Sequence, residues 1–91
     1  MLRMVHVTAS NVNFLASRIV RYIQAARRSG EIYLPQNDPY GGYHGGCDRM
    51  DSLIPRFEME HGIIIAPKEY HYLCLETAVV EAVNNKGRFE E

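Results

Sequence analysis

The stretch VNFLASRIVRYIQAARRSG, residues 12–30, decides the fold. Its apolar residues recur at spacings of three and four, which predicts a long helix with one buried face. The residues expected on that face are Val12, Leu15, Ile19, Tyr22, Ile23 and Ala26. The polar residues on the other side are Arg18, Arg21, Gln24 and Arg28. Ser10 or Asn11 is expected to cap the helix start, and Gly30 is expected to end the helix.

Short apolar segments on either side of this helix predict strands. Residues 4–8 (MVHVT) are rich in β-branched side chains and predict a first strand, and residues 31–34 (EIYL) predict a second. Residues 63–66 (IIIA) predict a further strand that is buried. In residues 56–61 apolar and charged side chains alternate, so either a strand or a helical turn that ends at Gly62 fits them.

Two more helices are predicted in the second half of the chain. Residues 48–54 are expected to form a short helix that Pro55 ends. Residues 69–84 predict a second long helix, with Pro67 where a first helical position tolerates proline. Its expected buried residues are Leu73, Val79, Ala82 and Val83. The alternation of residues 70–75 also fits a strand.

This order of elements predicts an α+β fold, a two-layer open-faced sandwich. We expect one small, mostly antiparallel sheet of about four strands, with two long helices and one short helix on one face. The 91 residues are interpreted as a single domain. Within it, residues 35–47 are expected to form a loop rich in glycine and tyrosine, and residues 86–91 a frayed tail.

Composition favours an ordinary folded protein, since 46% of the residues are hydrophobic and 23% are charged. The formal net charge of −1 gives no global electrostatic reason to bind nucleic acid or an anionic membrane. No apolar run approaches the length of a membrane span, and residues 1–9 are too short for a signal peptide. Cys47 and Cys74 are far apart, which favours reduced thiols and a cytoplasmic location.

The loop PQNDPYGGYHGGC, residues 35–47, holds four of the seven glycines. Glycine lets the backbone approach a ligand or partner closely, and Tyr40, Tyr43 and His44 could contact that molecule. The loop lacks the Gly-Lys-Ser/Thr of the Walker pattern, and its glycines are paired, unlike those of the dinucleotide fingerprint. A connecting loop whose tyrosines pack on the domain is therefore favoured over a phosphate cradle.

Several short segments resemble the HPr phosphocarrier family. Residues 7–9 (VTA) look like the end of that family's first strand, and residues 23–28 (IQAARR) followed by 31–34 resemble its first helix and second strand. Ser52-Leu53 is similar to the end of its short second helix, and residues 63–84 suit its last strand and helix. The resemblance implies an HPr-like open-faced sandwich.

The same resemblance implies that phosphoryl transfer is absent. Phe14 or Leu15 stands where the family has its phosphorylated histidine at the start of the first helix, so there is no imidazole to accept the phosphoryl group. Ala16 or Ser17 replaces the nearby arginine, and glycine and cysteine replace the regulatory serine. A docking surface would remain, which implies a regulatory or adaptor role.

The leading hypothesis is therefore a non-catalytic domain that binds another protein, with no cofactor and no metal. Aromatic and arginine side chains are the anchors that interface cores favour. The predicted partner-binding residues are Phe14, Arg18, Arg21, Tyr40, Tyr43, His44, Arg49 and Met50. Nucleic acid and membrane are not expected as partners. An open sheet edge leaves a homodimer as an alternative.

A second hypothesis is a small ligand-binding, metal-binding or catalytic domain that uses His44, Cys47 and Asp48. Cys47 near a helix start could have a lowered pKa and act as a nucleophile beside His44. One His-x-x-Cys pair, even with His61 added, is weak evidence for zinc, which needs three or four converging ligands. A third hypothesis places nucleic-acid phosphates on the arginine side of the first helix.

Overall fold

The computed structural model describes residues 2–32 and 52–84. The elements in chain order are β1 (Arg3–His6), α1 (Val12–Ser29), α2 (Leu53–His61), β2 (Ile63–Ala66) and α3 (Tyr70–Asn84). β1 and β2 pair in parallel, in the register that places Val5 opposite Ile65. Helices stand between the two strands in the chain, and a crossover of this kind is what parallel neighbouring strands require.

The α+β class is confirmed, but the predicted sheet is wrong in both strand number and direction. Instead of about four mostly antiparallel strands, the two described ranges contain two strands, and these are parallel. Residues 56–61 belong to α2, so the strand considered there does not form. Glu31 and Ile32 lie outside any strand, and the remainder of the predicted strand 31–34 lies outside the described residues.

α1 forms as its pattern predicts. Its buried residues recur at helical spacing: Leu15, Ala16, Ile19, Val20, Ile23 and Ala26. Gly30 ends the helix with φ 86°, a left-handed conformation that glycine adopts without a Cβ clash. The Gly30 N–H donates to the Arg27 carbonyl at 3.2 Å, and Arg27 and Arg28 place positive charge where the helix dipole favours it.

α2 occupies later residues than the sequence predicts. It spans Leu53–His61, and Pro55 lies in its first turn instead of ending it. Proline is tolerated there because the first backbone N–H groups of a helix have no intrahelical acceptor. Gly62, with φ 66°, ends the helix, which confirms the alternative of a helical turn ending at that glycine.

α3 confirms the second long helix and excludes the strand alternative for residues 70–75. The peptide bond between Ala66 and Pro67 is cis, and the helix starts at Tyr70, so Pro67 does not take the first helical position. Leu73 is 58% exposed, contrary to the prediction that it is buried, and Leu75 is buried instead.

The core lies between the sheet and the helices. Ile19 and Ile23 of α1, Ile65 of β2 and Leu75 of α3 each expose less than 2% of their surface. All the buried residues within 2–32 and 52–84 are apolar or aromatic and form one cluster. Burial of this cluster is the main stabilising contribution, because apolar area leaves water. None of the helices within 2–32 and 52–84 is long and apolar enough to span a bilayer.

Two side chains bind backbone groups on the outer edges of the sheet. The Ile65 N–H points away from β1, since the neighbouring carbonyls of Gly62 and Ala66 accept from β1. It donates to Oε2 of Glu58 at 2.7 Å. On the other edge, Nδ2 of Asn11 donates to the His6 carbonyl at 2.8 Å. Helix α2 and the loop before α1 are thus each fastened to a strand by one side chain.

Candidate functional site

Helix α1 exposes an aromatic side chain in its first turn. Phe14 is the third residue of the helix and is 63% exposed. Cζ of Arg18, four residues later, lies 5.7 Å from the centroid of the Phe14 ring, within the range of a cation–π interaction. Residues four apart are neighbours on a helix surface, so this contact follows from the spacing. An apolar ring and a guanidinium are thus presented together to solvent.

The arginines of α1 continue this surface toward the end of the helix. Arg21 and Arg28 are exposed like Arg18, as the sequence predicts. Gln24 is only half-exposed. We call Phe14, Arg18, Arg21 and Arg28 the basic face of α1; these residues lie opposite the buried side of the helix. The 18 residues of α1 include four arginines and no carboxylate. No carboxylate within α1 therefore neutralises the positive charge of the basic face.

The loop between β1 and α1 fixes where the basic face begins. Oδ1 of Asn11 accepts the Thr8 N–H at 2.8 Å, while its Nδ2 holds the His6 carbonyl. The hydroxyls of Thr8 and Ser10 lie 3.0 Å apart. Of the two residues predicted to cap the helix, Asn11 is the N-cap. Its side chain makes no hydrogen bond to the helix. It instead orders the turn that sets the direction of α1.

A second cation–aromatic pair lies at the start of α3. Nζ of Lys68 is 4.2 Å from the centroid of the Tyr72 ring, which is only 5% exposed. Burial raises the pKa of the Tyr72 phenol above its ordinary value. A hydrogen bond and the positive charge of Lys68 lower this pKa in part, and the negative charges of Glu58 and Glu76 raise it further. This pair was not among the predicted contacts, although the spacing Lys-x-x-x-Tyr is visible in the sequence.

The outer side of α3 differs in chemistry from the basic face. Tyr70 and Leu73 are exposed, and the rings of Tyr70 and His71 meet edge to face at 5.3 Å between centroids. Thr77 and Glu81 are exposed farther along the helix. Tyr70 thus lies in solvent, whereas Tyr72, two residues later, packs in the core.

Five of the eight predicted contact residues lie outside the described residues: Tyr40, Tyr43, His44, Arg49 and Met50. Cys47 and Asp48, the other members of the ligand or metal hypothesis, lie there too, so that hypothesis stays a prediction. His61 is exposed at the end of α2; its Nδ1 is 3.0 Å from the Phe57 carbonyl and its ring lies against Phe57. Within 2–32 and 52–84, no three His, Cys, Asp or Glu side chains are placed to hold a metal ion.

Comparison of the chain with protein-family models, curated proteins and solved structures found no match. The resemblance to HPr therefore stays a prediction that rests on the short segments quoted above. The sheet that this resemblance implies is not the one observed, since β1 and β2 pair in parallel. The candidate site is accordingly defined by its own geometry, with the exposed Phe14 and Arg18 at its centre.

Proposed function

We propose that this chain is a non-catalytic protein-binding domain of a regulatory or adaptor kind. The observation that carries the proposal is the 63% exposure of Phe14 beside Arg18 on an otherwise well-packed helix. An aromatic side chain contributes about 150–250 Å² of surface to an interface, so a ring kept in water can stabilise a complex when a partner covers it. Phenylalanine and arginine are both enriched in the central regions of interfaces.

The rigidity of its support favours Phe14 as an anchor. The residues that follow it, Leu15 and Ala16, are buried, and Ile19 one turn later is fully buried. A partner can therefore meet the ring without reorganising the helix that carries it, which lowers the entropic cost of association. Contact with Arg18 further restricts the ring before the partner arrives.

The remaining predicted contacts belong to the same proposal. Arg21 extends the surface along α1. The residues outside the described ranges that are predicted to join it are Tyr40, Tyr43, His44, Arg49 and Met50. We also propose the cytoplasm as the compartment, because Cys47 and Cys74 are spaced as isolated thiols and not as a disulfide scaffold.

The proposal is tested by affinity capture from a lysate of cells that make the protein. Phe14→Ala and Arg18→Glu should remove the proteins captured by the unaltered chain, while the circular dichroism spectrum and thermal midpoint stay unchanged. Asn13→Ala is the matched control, because Asn13 is an exposed neighbour of Phe14 on the same helix turn. It should leave capture intact.

Capture that survives both Phe14→Ala and Arg18→Glu would contradict a contact surface on α1. Equal loss of capture with Asn13→Ala would also contradict it, since the effect would then not depend on the ring or its cation. Proteins that the unaltered domain captures reversibly are then identified by mass spectrometry and purified.

A further inference from the structure

Charge is distributed unevenly over the described residues. α1 carries four arginines and no acidic residue, and three of those arginines are exposed. The acidic residues of the described ranges all lie outside α1: Glu31, Glu58, Glu60, Glu69, Glu76 and Glu81. A basic helix therefore stands on a chain whose formal net charge is −1. Such local concentration of one sign steers and selects partners of the opposite sign.

The length of the basic face sets how long a partner segment must be to cover it. Phe14 and Arg28 are separated by a rise of about 21 Å along the helix axis, since each residue adds about 1.5 Å. An extended chain covers that length with about seven residues. The apolar contact is at one end, at Phe14, and the guanidinium groups follow from Arg18 to Arg28.

We propose that the basic face of α1 binds an acidic segment of a partner protein, in which one apolar side chain covers Phe14 and carboxylates follow along the arginines. This proposal rests on the proposed function and names the chemistry of the partner. Arginine suits the role because its planar guanidinium can lie against a ring and still donate from its N–H groups to a carboxylate, often through two bonds.

A protein segment fits this surface better than a nucleic acid. A nucleic-acid strand carries charge along its whole length, whereas the arginines of the basic face end at Arg28. A segment of about seven residues ends where the basic face ends. Phe14 also lies at one end of the arginine series, whereas a single-stranded nucleic acid is typically held by several stacking rings along its path.

The first test measures binding of labelled peptides to the full chain by fluorescence anisotropy. The probe is a peptide of about ten residues with glutamates on both sides of one leucine, and its control has glutamine at every glutamate position. The acidic peptide should bind, the glutamine peptide should bind at least about threefold more weakly, and raising salt from about 20 mM to about 200 mM should weaken the acidic peptide alone.

Variants locate the site within the same assay. Arg18→Gln and Arg28→Gln should each weaken the acidic peptide about threefold without changing the glutamine peptide. Phe14→Ala should weaken both peptides. Arg3→Gln is the matched control, because Arg3 is an exposed arginine of β1 and not of α1, and its loss should have no effect beyond the change in net charge.

The outcomes separate this proposal from the one on which it rests. A single-stranded DNA of equal charge that binds as tightly as the acidic peptide would overturn it, as would self-association of the chain that masks the basic face. If capture of natural partners depends on Phe14 but ignores Arg18→Gln, Arg28→Gln and added polyglutamate, the acidic partner is wrong and protein binding stands. If capture ignores Phe14 as well, both proposals fail.

Discussion

The two long helices each begin beside a cation and an aromatic ring four residues apart, and the two pairs have opposite relations to solvent. At the start of α1, Arg18 lies against Phe14, whose ring is largely exposed. At the start of α3, Lys68 lies against Tyr72, whose ring is part of the core. The same spacing thus produces one pair whose ring lies in solvent and one whose ring lies in the core.

The difference shows that burial of the ring, and not the cation–aromatic contact, decides what a pair contributes. A cation–π contact is worth about 0.5–1 kcal/mol at an exposed site and about 2 kcal/mol when the pair is desolvated. Removing a buried aromatic side chain costs more, because apolar area returns to water and a cavity remains. We therefore expect the pair at α3 to contribute to stability, while the pair at α1 contributes little to stability and belongs to the proposed contact surface.

The largest expected effect compares the two rings directly. Tyr72→Ala should lower the free energy of unfolding by about 3 kcal/mol, because it empties a buried site. Phe14→Ala should change it by less than about 0.5 kcal/mol, since the ring is already in water. Urea unfolding followed by circular dichroism measures both. Similar losses in the two variants would end the distinction between the pairs.

The next effect concerns the carboxylate that links α2 to β2 close to Tyr72. Glu58→Ala should cost about 1–2 kcal/mol, because the Ile65 N–H loses its acceptor. Glu60→Ala is the matched control on the same helix; Glu60 is exposed, and its loss should cost less than about 0.5 kcal/mol.

Hydrogen exchange of the Ile65 amide provides a second measurement of this bond. Exchange should become faster in Glu58→Ala and stay unchanged in Glu60→Ala, because only Glu58 accepts that N–H. Unfolding energies that do not differ between the two variants would show that the link from α2 to β2 contributes nothing to stability.

The smallest effect is confined to alkaline solution. Because the pKa of Tyr72 in the folded protein is raised above its ordinary value of 10.0, the folded state favours the neutral phenol. This contribution to stability is complete below the unfolded pKa and is lost as pH rises through the folded pKa. Stability should therefore fall above pH 10 in the unaltered chain, and Tyr72→Phe should reduce the slope.

Tyr70→Phe is the control for the pH experiment, because Tyr70 is an exposed tyrosine on the same helix. It should keep the alkaline slope of the unaltered chain. Glu58→Gln should lower the pKa of Tyr72 in a spectroscopic titration, since the charge of Glu58 contributes to the rise. An identical alkaline slope in Tyr72→Phe and the unaltered chain would contradict the assignment of that slope to Tyr72.

The helices could be predicted from the sequence wherever the spacing of apolar residues and a glycine at the helix end indicate the same bounds. The buried face of α1 and its end at Gly30 follow from the spacing of Leu15, Ile19 and Ile23. Exposure of Phe14 was implicit in the same pattern, because it lies opposite those positions. Propensity and cap signals are local, so one sequence is enough to evaluate them.

The sheet could not be predicted, because strand pairing joins residues far apart in the chain. Whether Val5 pairs with Ile65 in parallel depends on the path of the connection between them, which no local pattern records. Residues 56–61 alternate like a strand, yet helical hydrogen bonding and the left-handed Gly62 prevail there. Leu73 was misplaced because α3 is apolar over much of its circumference, and Leu75 takes the buried position.

The side chains that bind the outer edges of the sheet have a consequence for aggregation. An exposed strand offers its unpaired backbone groups as a template on which another chain can add, which is the first step of fibril growth. Glu58 occupies the outward N–H of Ile65, and Asn11 occupies the outward carbonyl of His6. A second chain adding at either point would have to displace a bound side chain, and at Glu58 it would meet a negative charge. Within residues 2–32 and 52–84, each strand of the sheet thus carries one side chain that hinders the addition of another chain at that point.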